Sequence, residues 1–386
     1  MSRRIAVFTG TRADYGLLRG LIRELADAPD VELQLIVSGS HLSDAHGRTV
    51  KEIERDGVPI AASVPIWRDD DSAPAATRDV GDAVGRYGAT LDTLNPDALV
   101  VLGDRLEALA VALAATILGI PVAHVHGGEV TEGAMDESLR HAITKLSYLH
   151  FTSTASHRDR VVQFGEEPDR VFFVGAPIVD AVASLDLLSR DELRDRFGIR
   201  LARPTILVTF HPASADVLPP LELLEELLGA LEAVTTHDVI VTGSNTDIGS
   251  NAVRERIARF VAEHPHRVDF VESFGQLGYL SAMSASAVVV GNSSSTVLEA
   301  PVIGVPSVLV GDRQRGRPLA ASVATPAPDR EAIATAIREA RPVDGGATEL
   351  FGTPGFAKRT AEILRTHDLP RYPRKPFHDV PLRSSD

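Results

Sequence analysis

Two doubly wound α/β domains, each a parallel sheet with helices on both faces, are expected from three features of the sequence. Short continuous apolar runs alternate with segments of helical spacing along most of the 386 residues, the pattern of strands buried on both faces. The alternation halts near Val171-Phe-Phe-Val-Gly-Ala-Pro and restarts at Thr205 after a charged connector. The length itself exceeds that of one ordinary domain. The expected division is an N-terminal Rossmann-like domain over residues 1–180, a second over 181–355, and a final helix with a tail over 356–386.

In the first series, residues 4–9, 31–37, 98–102, 122–125 and 149–152 are short apolar runs and read as strands. Residues 15–26, 47–56 and 77–94 carry apolar side chains at helical spacing between them. Residues 67–76, with three consecutive Asp, interrupt the pattern and read as a mobile surface loop. Residues 185–203 form a connector with a short helix. The second series places strands at 205–210, 237–242, 268–271, 287–290 and 307–310, with helices at 222–234, 251–263 and 276–283. The last helix covers 356–366, and the Pro- and Arg-rich tail from Leu369 onward is expected to be poorly packed.

Composition narrows the function. A formal charge of −14 argues against nucleic acid or an anionic membrane as partner. The absence of cysteine excludes disulfides, Cys–metal sites and thiol catalysis. The most apolar region, residues 106–125, is broken by Glu107, Gly119 and Pro121 and reads as a buried helix and strand. The first residues carry too short an apolar segment for a signal peptide. A soluble cytoplasmic protein is expected, and an anionic small ligand would need a local basic patch.

The chemistry concentrates in residues 124–141, which hold three His, four carboxylates, three Gly and an Arg. A strand runs in and a helix runs out, the setting in which open α/β sheets carry their sites. His126, Glu129, Glu132 and Asp136 are acid/base candidates, since paired carboxylates with separated pKa values supply one acid and one base. A helix-capping role for Asp136 is the plainer alternative, and a His/carboxylate metal site is a third, matching no ligand signature. Asp136 and Arg140, at i and i+4, share a helix face. Asp104 stands at the end of the strand 98–102, as a site carboxylate or as the cap of the next helix.

Basic and hydroxyl groups mark an anion site. Gly10-Thr-Arg12 links the first strand to a helix, where free backbone N–H groups and Arg12 suit a phosphate, although the glycine spacing is not that of a dinucleotide fold. His211 closes the strand 205–209. Asn292, Ser293, Ser294 and Ser295 follow another strand and read as a phosphate cradle at a helix N-terminus, with Glu299 one turn on, placed to accept from a ribose diol. Arg313, Arg315 and Arg317 add three Arg in five residues. A nucleotide diphosphate is the ligand these groups suit.

Taken in order, Gly10-Thr-Arg-Ala-Asp-Tyr-Gly, Gly103-Asp-Arg, His126-Gly-Gly-Glu-Val-Thr-Glu-Gly-Ala-Met-Asp, Arg140-His-Ala-Ile-Thr-Lys-Leu-Ser, Gly291-Asn-Ser-Ser-Ser and Gly311-Asp-Arg-Gln resemble the hydrolysing UDP-N-acetylglucosamine 2-epimerases of sialic- and legionaminic-acid biosynthesis. The resemblance runs over nearly the whole chain. It implies a glycosyltransferase-B-like fold with the ligand between the domains and the last helix returning to the first. It also implies a homodimer or homotetramer, and no metal or redox cofactor. By motif it assigns Asp104, Glu129 and Asp136 to acid/base work and His211 to the neighbourhood of sugar and diphosphate. Arg12, Arg140, Ser294 and Ser295 would hold phosphates, Glu299 the ribose, and Arg313 and Gln314 the far side. Several members carry Glu where this chain has His126. The alternatives are a GDP-linked or diacetamido-trideoxy substrate, a non-hydrolysing epimerase and a glycosyltransferase.

Overall fold

The computed structural model describes residues 2–43, 48–66, 73–132, 135–212, 217–243, 250–342 and 346–381. The chain divides into two compact units. The first comprises Met1–Glu129, Ala134–Ala181 and Phe351–Asp386, and the second Val130–Gly133 and Val182–Leu350.

The first unit runs β1 (Arg3–Thr9), α1 (Arg12–Asp27), β2 (Val31–Ser38), α2 (Val50–Arg55), β3 (Ile60–Val64), α3 (Ala73–Leu94), β4 (Ala98–Leu102), α4 (Leu106–Ile117), β5 (Val122–Val125), α5 (Met135–Leu146), β6 (Leu149–Thr152), α6 (Ala155–Gln163), β7 (Val171–Phe173) and α7 (Pro177–Ala183). Its seven strands are all parallel, in the order β3-β2-β1-β4-β5-β6-β7. Each strand feeds both faces. Ile5 and Val7 of β1 join one core while Ala6 and Phe8 join the other, and in β4 Val100 and Val101 divide the same way. That is why these strands read as unbroken apolar runs.

The second unit runs α8 (Arg190–Phe197), β8 (Thr205–Thr209), α9 (Pro220–Ala233), β9 (Asp238–Thr242), α10 (Ser250–Glu263), β10 (Val268–Val271), α11 (Gly275–Ser284), β11 (Val288–Gly291), α12 (Glu299–Ile303), β12 (Ser307–Leu309), β13 (Val323–Ala324), α13 (Arg330–Glu339) and α14 (Gly346–Phe351). Its sheet is β10-β9-β8-β11-β12-β13, again parallel. Val208 packs to one face and Leu207 to the other. In each unit the chain reverses direction across the sheet between the first strand and its later neighbour. These β1/β4 and β8/β11 positions are the switch points where open sheets bind ligands.

The last helix, α15 (Phe356–Thr366), belongs to the first unit and lies against α1. Tyr15, Leu18, Leu21, Ile22 and Leu25 form the buried stripe of α1, and Phe356, Ala357, Ala361 and Leu364 that of α15. The carboxylate of Asp180 accepts from the backbone N–H of Gly355 (2.5 Å) and Ala357 (2.7 Å), capping the start of α15. Arg3 donates to the carbonyls of Leu364 (2.7 Å) and His367 (2.8 Å) at its end.

Several expectations change. Residues 73–76 begin α3 instead of extending a loop, because Ala73-Pro-Ala-Ala supplies good helix formers with Pro in the first turn; residues 67–72 lie outside the described residues. The helix expected over 47–56 is the shorter Val50–Arg55. Edge strand β3 was not anticipated. Most described tail residues are exposed, as expected, but the tail is anchored to the first unit at particular points. Tyr372 N–H donates to the Gly119 carbonyl (2.8 Å) and its ring covers Gly119, while the Phe377 ring lies over Gly165. Between them Lys375 reaches the fully buried Glu166 (2.9 Å), which also binds Lys145 (2.6 Å) and His150 (3.1 Å).

Candidate functional site

At the β1/β4 switch point, the turn after β4 presents Asp104, and α1 opens on the capping box of Thr11 and Asp14. Arg12, the first residue of α1, is exposed and makes no ion pair among the described residues. Asp14 is buried, and burial together with the neighbouring Glu107 carboxylate pushes its pKa up to about 6. Arg105 donates to Glu107 (2.9 Å).

The loop after β5 is built around Arg140. Its guanidinium is 2% exposed, and it pairs with Asp104, donates to Glu137 (3.2 Å) and donates to the Glu129 carbonyl (3.0 Å). The sequence reading sends this side chain to a phosphate. In the structure it braces the Asp104 turn against the Glu129 loop. Beneath it His124, held neutral because burial drops its pKa to about 3, bonds the Gly103 carbonyl through Nε2 (2.7 Å). The β4 and β5 turns are therefore tied twice.

Glu129 is 7% exposed. Its Oε1 accepts from the Ser153 hydroxyl (2.8 Å) and lies 3.3 Å from His126 Nδ1. Ser153 in turn is 2.9 Å from His157 Nδ1. His126 adopts φ +70°, a conformation that strains a residue with a Cβ and that concentrates at functional sites. Gly128 is required: a Cβ there would collide with the His157 carbonyl. Asp136 is exposed in the first turn of α5. Glu132 pairs with Arg315 (3.2 Å), so its carboxylate is engaged with a cation outside this cluster.

In the second unit the β8/β11 switch point gathers His211, Asn292 and the serines. Asn292 clasps His211 both ways, accepting its N–H (2.8 Å) and donating to its carbonyl (2.7 Å). Gly291, at φ +142°, permits this approach, since a Cβ would run into the Thr209 carbonyl. Burial and Arg313 lower the His211 pKa to about 4. Ser293 accepts from Ser295 N–H (3.4 Å) and begins a 3-10 turn, Ser294–Thr296, instead of a long helix. A chain of hydroxyls follows: Ser295 to Tyr279 (2.7 Å), Tyr279 to Thr209 (3.0 Å) and Thr209 to Thr242 (2.8 Å). Gln314 and Arg313 donate to the Asn292 carbonyl (3.0 and 3.3 Å). Glu299 opens α12, with Oε2 buried and lacking a protein partner among the described residues, and burial raises its pKa. The polar loop expected after Thr242 falls mostly on residues 244–249, outside those described.

Sequence reasoning missed Ser153, His157 and Tyr279. The polar run Thr152-Ser-Thr-Ala-Ser-His157 was a usable signal, because it ends the strand beside β5.

Two parallel sheets, each with polar groups collected at its switch point, define a two-domain doubly wound α/β protein. A family profile described as UDP-N-acetylglucosamine 2-epimerase matches residues 23–365, and the chain belongs to that family. Among curated relatives, the polysialic acid biosynthesis protein P7 of Escherichia coli is 36% identical over 87% of this chain and 85% of its own length. The GDP/UDP-N,N'-diacetylbacillosamine 2-epimerase (hydrolyzing) of Campylobacter jejuni is 34% identical over 82% of each chain, and the UDP-N-acetylglucosamine 2-epimerase of Neisseria meningitidis is 31% identical over 83% of each. The fold is that of the glycosyltransferase-B-like epimerases. A crystal structure of the UDP-GlcNAc 2-epimerase from Neisseria meningitidis bound to UDP-GlcNAc aligns with a TM-score of 0.70 at 17% identity, over 94% of this chain and 99% of that one.

Proposed function

We propose that the chain is a hydrolysing nucleotide-sugar 2-epimerase, converting UDP-N-acetylglucosamine and water to UDP and free N-acetylmannosamine. The observation that carries the reading is the Asp104–Arg140–Glu129 assembly, two carboxyl-bearing turns locked together beyond the carboxyl ends of the neighbouring strands β4 and β5. A hexosamine C2 proton is too weakly acidic for direct removal. In the proposed route the C1–O bond to the diphosphate breaks first, and the oxocarbenium-like centre acidifies C2–H. A base takes that proton, leaving 2-acetamidoglucal and UDP. Water then supplies hydroxyl to C1, and an acid returns a proton to C2 on the opposite face. The sum is redox-neutral, so no redox cofactor is required.

Asp104, Glu129 and Asp136 are the proposed acid/base set, with His126 beside Glu129. His211, neutral at pH 7, serves the sugar–diphosphate region as a hydrogen-bonding group. Arg12, Arg313 and the Ser293–Ser295 hydroxyls suit the diphosphate, and the Glu299 Oε2 suits a ribose hydroxyl, which would supply the donor that the described residues do not. A second reading, the same reaction on a GDP- or UDP-linked diacetamido-trideoxyhexose, is favoured by the 34% and 35% identities to hydrolysing diacetylbacillosamine epimerases.

The test is incubation in D2O with UDP- and GDP-linked acetamido and diacetamido sugars, followed by NMR. A free 2-epimerised sugar carrying deuterium at C2, with released nucleotide diphosphate, is expected. Recovery of an intact nucleotide sugar would identify a non-hydrolysing enzyme, and free sugar without deuterium would eliminate the glucal route.

A further inference from the structure

Glu129 sits within a linear hydrogen-bonded set whose outer members lie on a different strand and helix. The Ser153 hydroxyl has one proton and directs it to Glu129 Oε1. Its contact with His157 Nδ1 (2.9 Å) must therefore be one in which the ring donates and the serine oxygen accepts. That fixes the His157 tautomer, with the proton on Nδ1. His157 Nε2 is buried with no partner among the described residues, so the ring has no second hydrogen bond that would favour the other tautomer. From the opposite side His126 Nδ1 faces the same Oε1.

We infer that Ser153 and His157 are positioning residues for Glu129: they aim its carboxylate and hold it in the anionic form needed to accept a proton. The inference rests on the epimerase reading. The physical reason is directional. Hydrogen bonds donated to a carboxylate favour its charged form and lower its proton affinity, and here the donor is itself oriented by a second donor, so the two act in series. His157 is not a counter-ion, since burial lowers its pKa to about 4 and leaves it neutral. Among the described residues, the other groups facing Glu129 include His126 on its own loop, Arg140 of α5 on its carbonyl, and Arg160 of α6 on the adjacent Gly128 carbonyl. Asp104 bears on it through Arg140. Loss of Ser153 leaves all of these in place.

The test reads Glu129 directly and through turnover. In 13C-glutamate-labelled protein, with the Glu129 resonance assigned by its loss in Glu129→Gln, Ser153→Ala and His157→Leu should raise the Glu129 pKa by about one pH unit. Ser153→Thr and His157→Asn, which keep the hydroxyl and a donor at the Nδ1 position, should restore it. In the pH profile of kcat the acid limb should rise equally, with KM little changed. An unmoved Glu129 titration in a folded Ser153→Ala protein would overturn the inference, as would a moved titration with an unmoved acid limb. If the wild-type protein turns over none of the nucleotide sugars, the functional reading fails while the titration still decides whether Ser153 and His157 govern Glu129.

Discussion

Arg140 carries more of the candidate site than any other side chain, because one buried guanidinium serves acceptors on three segments. Arg140→Lys should not be conservative, since an ammonium cannot reproduce the planar fork. It should lower kcat about 100-fold and cost about 3 kcal/mol by leaving Asp104 with a poorly matched partner, measured by steady-state kinetics and urea unfolding. Asp104→Asn should lower kcat by 100-fold or more while retaining the fold, at a Tm a few degrees lower, because the amide oxygen still accepts from Arg140. Asp14 gives a pH signature. Its folded pKa of about 6 exceeds the unfolded value, so its contribution to stability is full below pH ~4 and is lost as pH rises through ~6. The difference amounts to about 3 kcal/mol. Asp14→Asn should remove that slope and stabilise the protein at pH 7, as read by urea midpoints at pH 4.5 and 7. Asp104, Glu129 and the serines were legible as candidates because each ends a strand. The Ser153–His157 pair was legible only as a polar run after a strand; its link to Glu129 depends on β6 lying beside β5, which no local pattern records.

At the scale of elements, the central strands were readable because burial on both faces leaves few polar positions. Strand β3 escaped notice for the opposite reason: as an edge it alternates half-buried and exposed residues over Ile60–Val64, and Ala-Ala-Ser has weak strand preference. The serine run looked like a helix N-terminus, yet Pro301 two residues after Glu299 and Gly304 beyond it confine α12 to five residues. Helix α15 depends on its caps. Asp180→Ala would orphan the two N–H groups at its start and should cost about 1–2 kcal/mol, seen as a lower urea midpoint and as faster amide exchange confined to α15 and the facing side of α1.

At the scale of the molecule, the two-domain architecture was legible from the restart of the βα series, but the anchoring of the tail was not. Its Pro and Arg content reads as solvated, whereas Lys375 enters a buried cluster whose Glu166 has a pKa near 2: burial would raise it, but His150, Lys145 and Lys375 together bring it down. Lys375→Met should leave Glu166 with less compensation, lower the Tm by several degrees and expose residues 369–381 to trypsin. Among the described residues no helix is long and apolar enough to cross a membrane.

The first unit is closed by α15, which follows every residue of the second unit in the chain. On the ribosome, the earliest sheet to emerge must therefore wait, with the face of α1 around Gly20, where Ala357 of α15 packs, uncovered until residues 356–366 leave the exit tunnel. The later sheet has all its strands first. The order of synthesis and the order of completion are reversed, and chaperone contact during translation should fall mainly on the amino-terminal half.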